Sequence, residues 1–161
     1  MPLFLVILFF VLVSPSHATQ ETISSKTVVP TACQKQLVHT SLTIDTHQLD
    51  VRIAADPASR EQGLMRETSL PANTGMLFVF PTSRHATFWM KDTPLPLSIA
   101  YLNATGRILE IHDLEPFSER AVPSSSSSVV YALEVPRGWF ANHQVLPGDY
   151  VNGLPSNKTA Q

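Results

Sequence analysis

The chain has 161 residues, of which 43% are apolar and 15% charged, and carries a formal net charge of -2 at pH 7. That length and apolar share suit one globular domain with its own core, while the near-balanced charge offers no basic patch for nucleic acid and no polybasic run for anionic lipid. Nucleic acid is not expected as a partner.

Residues 3–13 form an unbroken apolar run, shorter than the roughly 20 residues that a helix needs to cross a bilayer. Ser16-His17-Ala18 then places small residues where a signal peptidase reads. Residues 1–18 are accordingly read as a signal peptide cleaved after Ala18. No Lys or Arg precedes the run, a departure from that pattern, and a retained anchor is the alternative, because eleven apolar residues also suit the core of a retained segment. The mature protein is expected to be exported, periplasmic or extracellular, with no stable membrane insertion once the signal is removed. Residues 19–36, rich in Ser, Thr and Gln without periodicity, read as a flexible lead-in. Cys33 is the sole cysteine, so neither an internal disulfide nor a multi-thiolate metal site can form; it reads as a free or intermolecularly paired thiol.

The folded domain is expected over residues 37–153, with 154–161 as a disordered tail. Val38, Leu42 and Ile44 predict a first strand, Asp45-Thr46 a turn, and residues 48–54 a half-buried strand alternating Leu49, Val51 and Ile53 with Gln48, Asp50 and Arg52. Asp56-Pro57 then predicts a helix start, with Asp56 as N-cap and Pro57 in the first helical position. The helix should end near 63–65, with Leu64 and Met65 packed on the sheet, Arg60 and Glu61 facing water, and Gly75 further on at a positive φ.

Residues 76–80 are apolar on both alternating faces, the pattern of a strand buried on two sides. Residues 85–91 put His85, Thr87, Trp89 and Lys91 on one face and Ala86, Phe88 and Met90 on the other, which predicts a second strand joined to the first by a hairpin through 81–85. Pro94 and Pro96 stop it. Residues 99–102 and 108–111 flank an Asn103 to Gly106 reversal as a further hairpin. The serine run 124–128 reads as a surface loop, Val129, Tyr131 and Leu133 as a strand, and Pro136 as the opening of a helix carrying Trp139 and Phe140. Residues 146–149 form a turn into a last short strand, 150–152. The expected fold is a β-dominated α+β domain: a small barrel or strongly curved antiparallel or mixed sheet of roughly six to eight strands, with one or two short helices.

EQGLM at 61–65, LPANTGMLFVF at 70–80, FWMKDT at 88–93 with Pro96-Leu97, and ALEVPRGWF and PGDYV across 132–151 closely resemble the family called domain of unknown function 192 (DUF192). The resemblance runs from about Leu42 to Asn152 and implies a compact, β-rich, frequently exported domain without an established activity. Three positions depart from the family pattern. Arg66-Glu67 follows GLM where an arginine usually comes one place later, Asp92 stands where asparagine is usual, and Ser98 stands where an aspartate is common.

Trp89 beside Lys91 on one face is the most suggestive pair, since an indole wall and an ammonium suit an anionic ligand group in a half-wet site. Asp92, Arg66, Glu67 and His85 complete the candidate ligand-binding set. The expected function is a non-catalytic binding or accessory module with a groove near Trp89 and Lys91, its partner an unknown small molecule or protein, with no cofactor and no assigned metal site. One alternative is an enzyme using Lys91, Asp92 or Glu67 as acid, base or electrostatic stabiliser at the same face. The other is a copper-handling protein using Met65, Met76, Met90 and His85. Glu110, His112 and Asp113 read as a solvated hairpin edge rather than a paired-carboxylate site.

Overall fold

The computed structural model describes residues 37–160; the expected signal peptide 1–18, the expected lead-in 19–36 and Cys33 lie outside the described residues. Strands β1 (His39–Ile44) and β2 (His47–Ala54) form the predicted hairpin, in register from His39 opposite Arg52 to Ile44 opposite His47. Helix α1 (Pro57–Gln62) then crosses to β3 (Thr74–Arg84), which lies parallel to β2. Asp56 caps the helix in a reciprocal box: its carboxylate accepts from the Ser59 amide, and Ser59 Oγ accepts from the Asp56 amide.

Strands β5 (Leu97–Leu102) and β6 (Ile108–Leu114) are the second hairpin, and β8 (Val129–Pro136) fits antiparallel between β3 and β5. Helix α2 (Trp139–Asn142) and β9 (Val151–Asn152) follow, giving a seven-stranded mixed sheet in the order β6-β5-β8-β3-β2-β1-β9. Its two edges meet. Arg107 and Tyr150 form an antiparallel bridge, the Ile108 amide donates to the Asp149 carbonyl at 2.9 Å, and the Val151 amide donates to Gly106 at 2.9 Å. The sheet therefore curls into the expected small barrel, and closure leaves fewer free ladder groups than an open sheet would.

Strand alternation sorts the core into two clusters. All seven strands contribute to the first, among them Leu42, Val51, Leu77, Ala100, Ile108, Leu133 and Val151, so it is the inside of the curl; α2 adds Trp139 and Phe140 to it. The second lies on the opposite face of the central strands and includes Met76, Phe78 and Phe80 of β3, Leu97, Ile99 and Tyr101 of β5, and Ala132 of β8. β3 and β8 thus serve both clusters, which is why their central residues are apolar on both faces.

Several expectations are corrected. Residues 85–91 do not form a hairpin with β3. Strand β3 runs on to Arg84, and only Thr87–Phe88 is strand (β4), paired with β7 (Val122–Pro123) in a separate two-stranded ribbon. The flanks of β3 are already taken by β2 and β8, so the following segment has no edge to join. Gly75 is not a positive-φ residue; that conformation falls on Asn73 at 57°. Gly75 is needed because a Cβ there would lie 2.3 Å from the Glu134 carbonyl oxygen across the β3–β8 ladder. Pro136 ends β8 rather than opening a helix, and Gly138 at φ 80° starts α2. Residues 154–160 do not trail. The Tyr131 hydroxyl donates to the Pro155 carbonyl at 2.8 Å, residues Asn157–Thr159 make a 3-10 turn, and Ala160 is buried in the first cluster.

Candidate ligand groove

Against the second cluster, α1 and the turn after it face the segment 84–93, leaving a groove of about 560 Å³ between them. One wall is Arg60 to Met65, the other Arg84 to Thr93, and Phe78, Leu97 and Glu134 lie beneath. The turn after α1 comes close to the sheet because Gly63, at φ 48°, has no side chain: a Cβ there would sit 3.3 Å from the Phe78 ring.

The opposite wall is held by the loop that the sequence marks only as serine-rich. Ser124 is buried; the Ala86 amide donates to its Oγ at 3.0 Å, and its amide donates to the Ala86 carbonyl at 2.8 Å. The Tyr101 hydroxyl donates to the Val122 carbonyl at 2.6 Å, and the Met90 amide donates to the Ser118 carbonyl at 2.7 Å. Glu110 anchors the same loop by accepting from the Ser125 amide at 2.8 Å while paired with His112 at 2.9 Å. Burial pushes the Glu110 carboxyl up, but the hydrogen bonds from His112 and the serine amides outweigh it and hold the group below its ordinary value. Asp113 accepts from Ser98 Oγ at 2.6 Å. Glu110, His112 and Asp113 are therefore wall and strand supports.

Of the candidate residues, Trp89, Lys91, Asp92 and His85 all line the groove. Trp89 is 47% exposed, and Lys91 Nζ lies 5.5 Å from the centre of its ring, within cation–π range. Ala86 and Met90, from the other face of this segment, are buried, and Phe88 is half-buried, meeting Phe78 edge-on at 4.8 Å. His85 Nδ1 lies 3.3 Å from the Ser124 carbonyl oxygen. Asp92 has φ 53°, a conformation that Asn and Asp tolerate best, so the departure from asparagine keeps the backbone requirement. Its carbonyl accepts from the Arg66 amide at 2.8 Å.

Arg66 and Glu67 are outside the groove lining, and Glu67 is ion-paired with Arg52 at 2.7 Å. Met65 and Met90 line the groove with His85, whereas Met76 is not part of its lining. Ser98, at the other departure, is buried and accepts from the Gly138 amide at 3.0 Å.

Three groove residues were not singled out from the sequence. Arg60, expected to face water, donates to the carbonyls of Ala55 and Val79 and stands 5.9 Å from the Phe80 ring centre. Arg84 approaches the same ring at 5.3 Å. Burial lowers the Arg60 pKa; Asp56 opposes this and Arg84 adds to it.

The third is Glu134, 4% exposed on β8, in register with Met76 on one side and Ile99 on the other. No side chain among the described residues is hydrogen-bonded to its carboxyl, which forms part of the groove lining. Burial pushes its pKa up to about 8, so it is protonated at neutral pH. Burial first, and then the nearby Glu110 and Glu134, also raise the Tyr101 phenol above its ordinary value. A signal for Glu134 was present: it is the one charged residue in the otherwise apolar run 129–135, and a carboxylate is seldom buried without a partner.

Known structures share this architecture. A solved structure of a protein from Sinorhizobium meliloti 1021, titled a putative transcription regulator, is 35% identical over 73% of this chain and 95% of its own, with a TM-score of 0.69. A protein of unknown function from Novosphingobium aromaticivorans DSM 12444 is 29% identical over 72% of this chain and 84% of its own, with a TM-score of 0.65. No curated protein matches. The family model for DUF192, described as an uncharacterized ACR, matches residues 40–153. With that match spanning β1 to β9, the chain belongs to the DUF192 family.

Proposed function

We propose that this protein is an exported, non-catalytic binding module that holds a small organic ligand in the groove between α1 and the segment 84–93. The groove itself carries the reading. Its volume of about 560 Å³ falls in the range of small-molecule sites, and its surface combines Phe78, Phe88, Met90 and Leu97 with a few placed polar groups at Trp89, Lys91 and Glu134. The ribbon and the Ser124 contacts support it further, because they fix one wall before any ligand arrives.

Native mass spectrometry of the protein recovered from an exported fraction tests the proposal. The expected result is a copurified organic compound, or a hit from a screen of small carboxylates, sugars and peptides, that is lost on Trp89→Ala. Binding that groove substitutions leave unchanged would overturn the reading, and stoichiometric copper in the same spectra would favour ligation by His85, Met65 and Met90 instead. N-terminal sequencing of the exported chain should begin at Thr19.

A catalytic reading has one feature in its favour: burial pushes the Glu134 pKa up to about 8, which suits a general acid–base group near neutral pH. Conversion of the bound compound on incubation, abolished by Glu134→Gln, would establish it.

A further inference from the structure

Glu134 is held rigidly and left without a partner. Its strand, β8, is laddered to β3 on one side and to β5 on the other, with Met76 and Ile99 level with it on the face that the groove overlies. Its carboxyl makes no hydrogen bond or ion pair among the described residues. Neither oxygen is sealed off, because the enclosed side-chain polar atoms that lack a hydrogen bond comprise, among the described residues, Arg137 Nε alone. A residue only 4% exposed thus keeps its carboxyl open to the groove.

The cations of the groove are engaged elsewhere. Arg60 donates to the Ala55 and Val79 carbonyls and feels Asp56, Arg84 approaches the Phe80 ring, and Lys91 lies over Trp89. Glu61 and Asp92 share the lining with them, so the walls carry no large excess of one sign.

We propose that the groove binds a primary ammonium ion carrying one hydrophobic group, its nitrogen paired with the Glu134 carboxylate and its apolar part against Phe78, Phe88 and Leu97. The proposal rests on the binding reading above and names the ligand class for that same groove. An ammonium supplies the missing charge together with three N–H donors, which a carboxylate accepts. Phe78, Phe88 and Trp89 line the same space, and the faces of aromatic rings attract cations. An anionic group would instead meet a second acid there, and a neutral hydroxyl would bring no charge.

Without a cation beside it, Glu134 keeps its proton, because burial disfavours the charged form. An entering ammonium reverses that preference: the carboxyl O–H proton passes to solvent, and carboxylate and ammonium remain as a buried pair. Tyr101 of β5, the phenol that feels Glu134, is pushed up and stays protonated, so the proton released is that of Glu134.

The test is calorimetric titration of the exported chain at pH 7 with 2-phenylethylamine, 2-phenylethanol and 3-phenylpropionate, each in two buffers of different ionisation heat. The amine should bind about ten-fold or more tightly than the alcohol, the gain of a desolvated charge pair less the cost of ionising Glu134. Its binding should release about one proton, and that of the other two compounds none. At pH 9, where Glu134 is already ionised, the release should nearly vanish in the unaltered protein. Glu134→Gln keeps the shape and the groove's other ionisable groups, among them His85, Lys91 and Asp92; it should reduce the amine to the affinity of the alcohol and abolish the proton release.

Equal affinity for amine and alcohol, amine binding without proton release, or a release that survives Glu134→Gln would overturn the assignment while leaving the groove as a binding site. Tighter binding of 3-phenylpropionate, lost on Trp89→Ala, would overturn the ammonium class alone, as would absence of binding by all three alongside a copurified compound that Trp89→Ala releases. Amine binding that neither Trp89→Ala nor Glu134→Gln changes would remove the groove reading with it. A denaturant melt of each variant verifies folding independently of binding.

Discussion

The two faces of the central strands are built from the same sequence segments and end in opposite conditions. The inner face, with Leu77 and Val79 of β3 and Leu133 and Val135 of β8, is sealed by barrel closure and by Trp139 and Phe140 of α2. The outer face, one residue out of phase, carries Met76, Phe78 and Phe80 beside Ala132 and Glu134, and is covered by α1, its following turn, a two-strand ribbon and loop residues such as Leu70, Met90 and Leu95. A complete cover permits an uninterrupted apolar core. An incomplete one leaves a groove, and at its floor stands the carboxyl that the inner face could not hold without a partner.

The sharpest way to break this contrast is to compare neighbouring residues of β8. Leu133→Ala, on the inner face, should cost about 2–5 kcal/mol at every pH, because it opens a cavity in a sealed core. Glu134 should instead make stability depend on pH. Below about pH 4.5 folded and unfolded chains both hold its proton; between there and about pH 8 only the folded chain does, so stability falls as pH rises through that window. The full loss is on the order of 5 kcal/mol. Chemical denaturation across pH 4–9 should show this slope in the wild type and a flatter profile in Glu134→Gln. An unchanged slope would mean that the carboxyl is solvated in the folded state.

A smaller effect separates the two sides of the 84–93 segment. Phe88 is half-buried against Phe78 and Tyr101, so Phe88→Ala should cost about 2 kcal/mol. Trp89 stands at the groove edge, and Trp89→Ala should cost less than about 1 kcal/mol. Equal losses in urea melts would place Trp89 in the core and fill the groove with protein.

The smallest expected change is at Lys91. It lies over the Trp89 ring and is exposed, so Lys91→Met should move stability by less than about 0.5 kcal/mol. A loss of several kcal/mol would reveal a structural ion pair in place of a groove-edge cation.

Local chemistry made much of this legible in advance. The β1–β2 hairpin, the Asp56 cap with Pro57, the two-sided burial of 76–80 and the β5–β6 reversal depend on periodicity and turn residues within one short window, where sequence separation is small. Trp89, Lys91, Asp92 and His85 could be grouped for the same reason, since they share one segment. The pairing of that segment could not. Whether residues 85–91 join β3 depends on β2 and β8 having already occupied both of its sides, a competition among strands distant in the chain.

What the sequence by itself determined is which residues alternate, where the chain turns, and the family to which the motifs belong. Only the tertiary structure decided that Gly75 is required for close approach to β8 rather than for its φ, and that Glu67 pairs with Arg52 away from the groove. It also brought Glu134 beneath the groove whose lining holds Arg60 and Arg84. A residue's type gives its charge and size, but its chemistry depends on what desolvates it, and for Glu134 the desolvating neighbours Met76 and Ile99 come from strands far away in sequence.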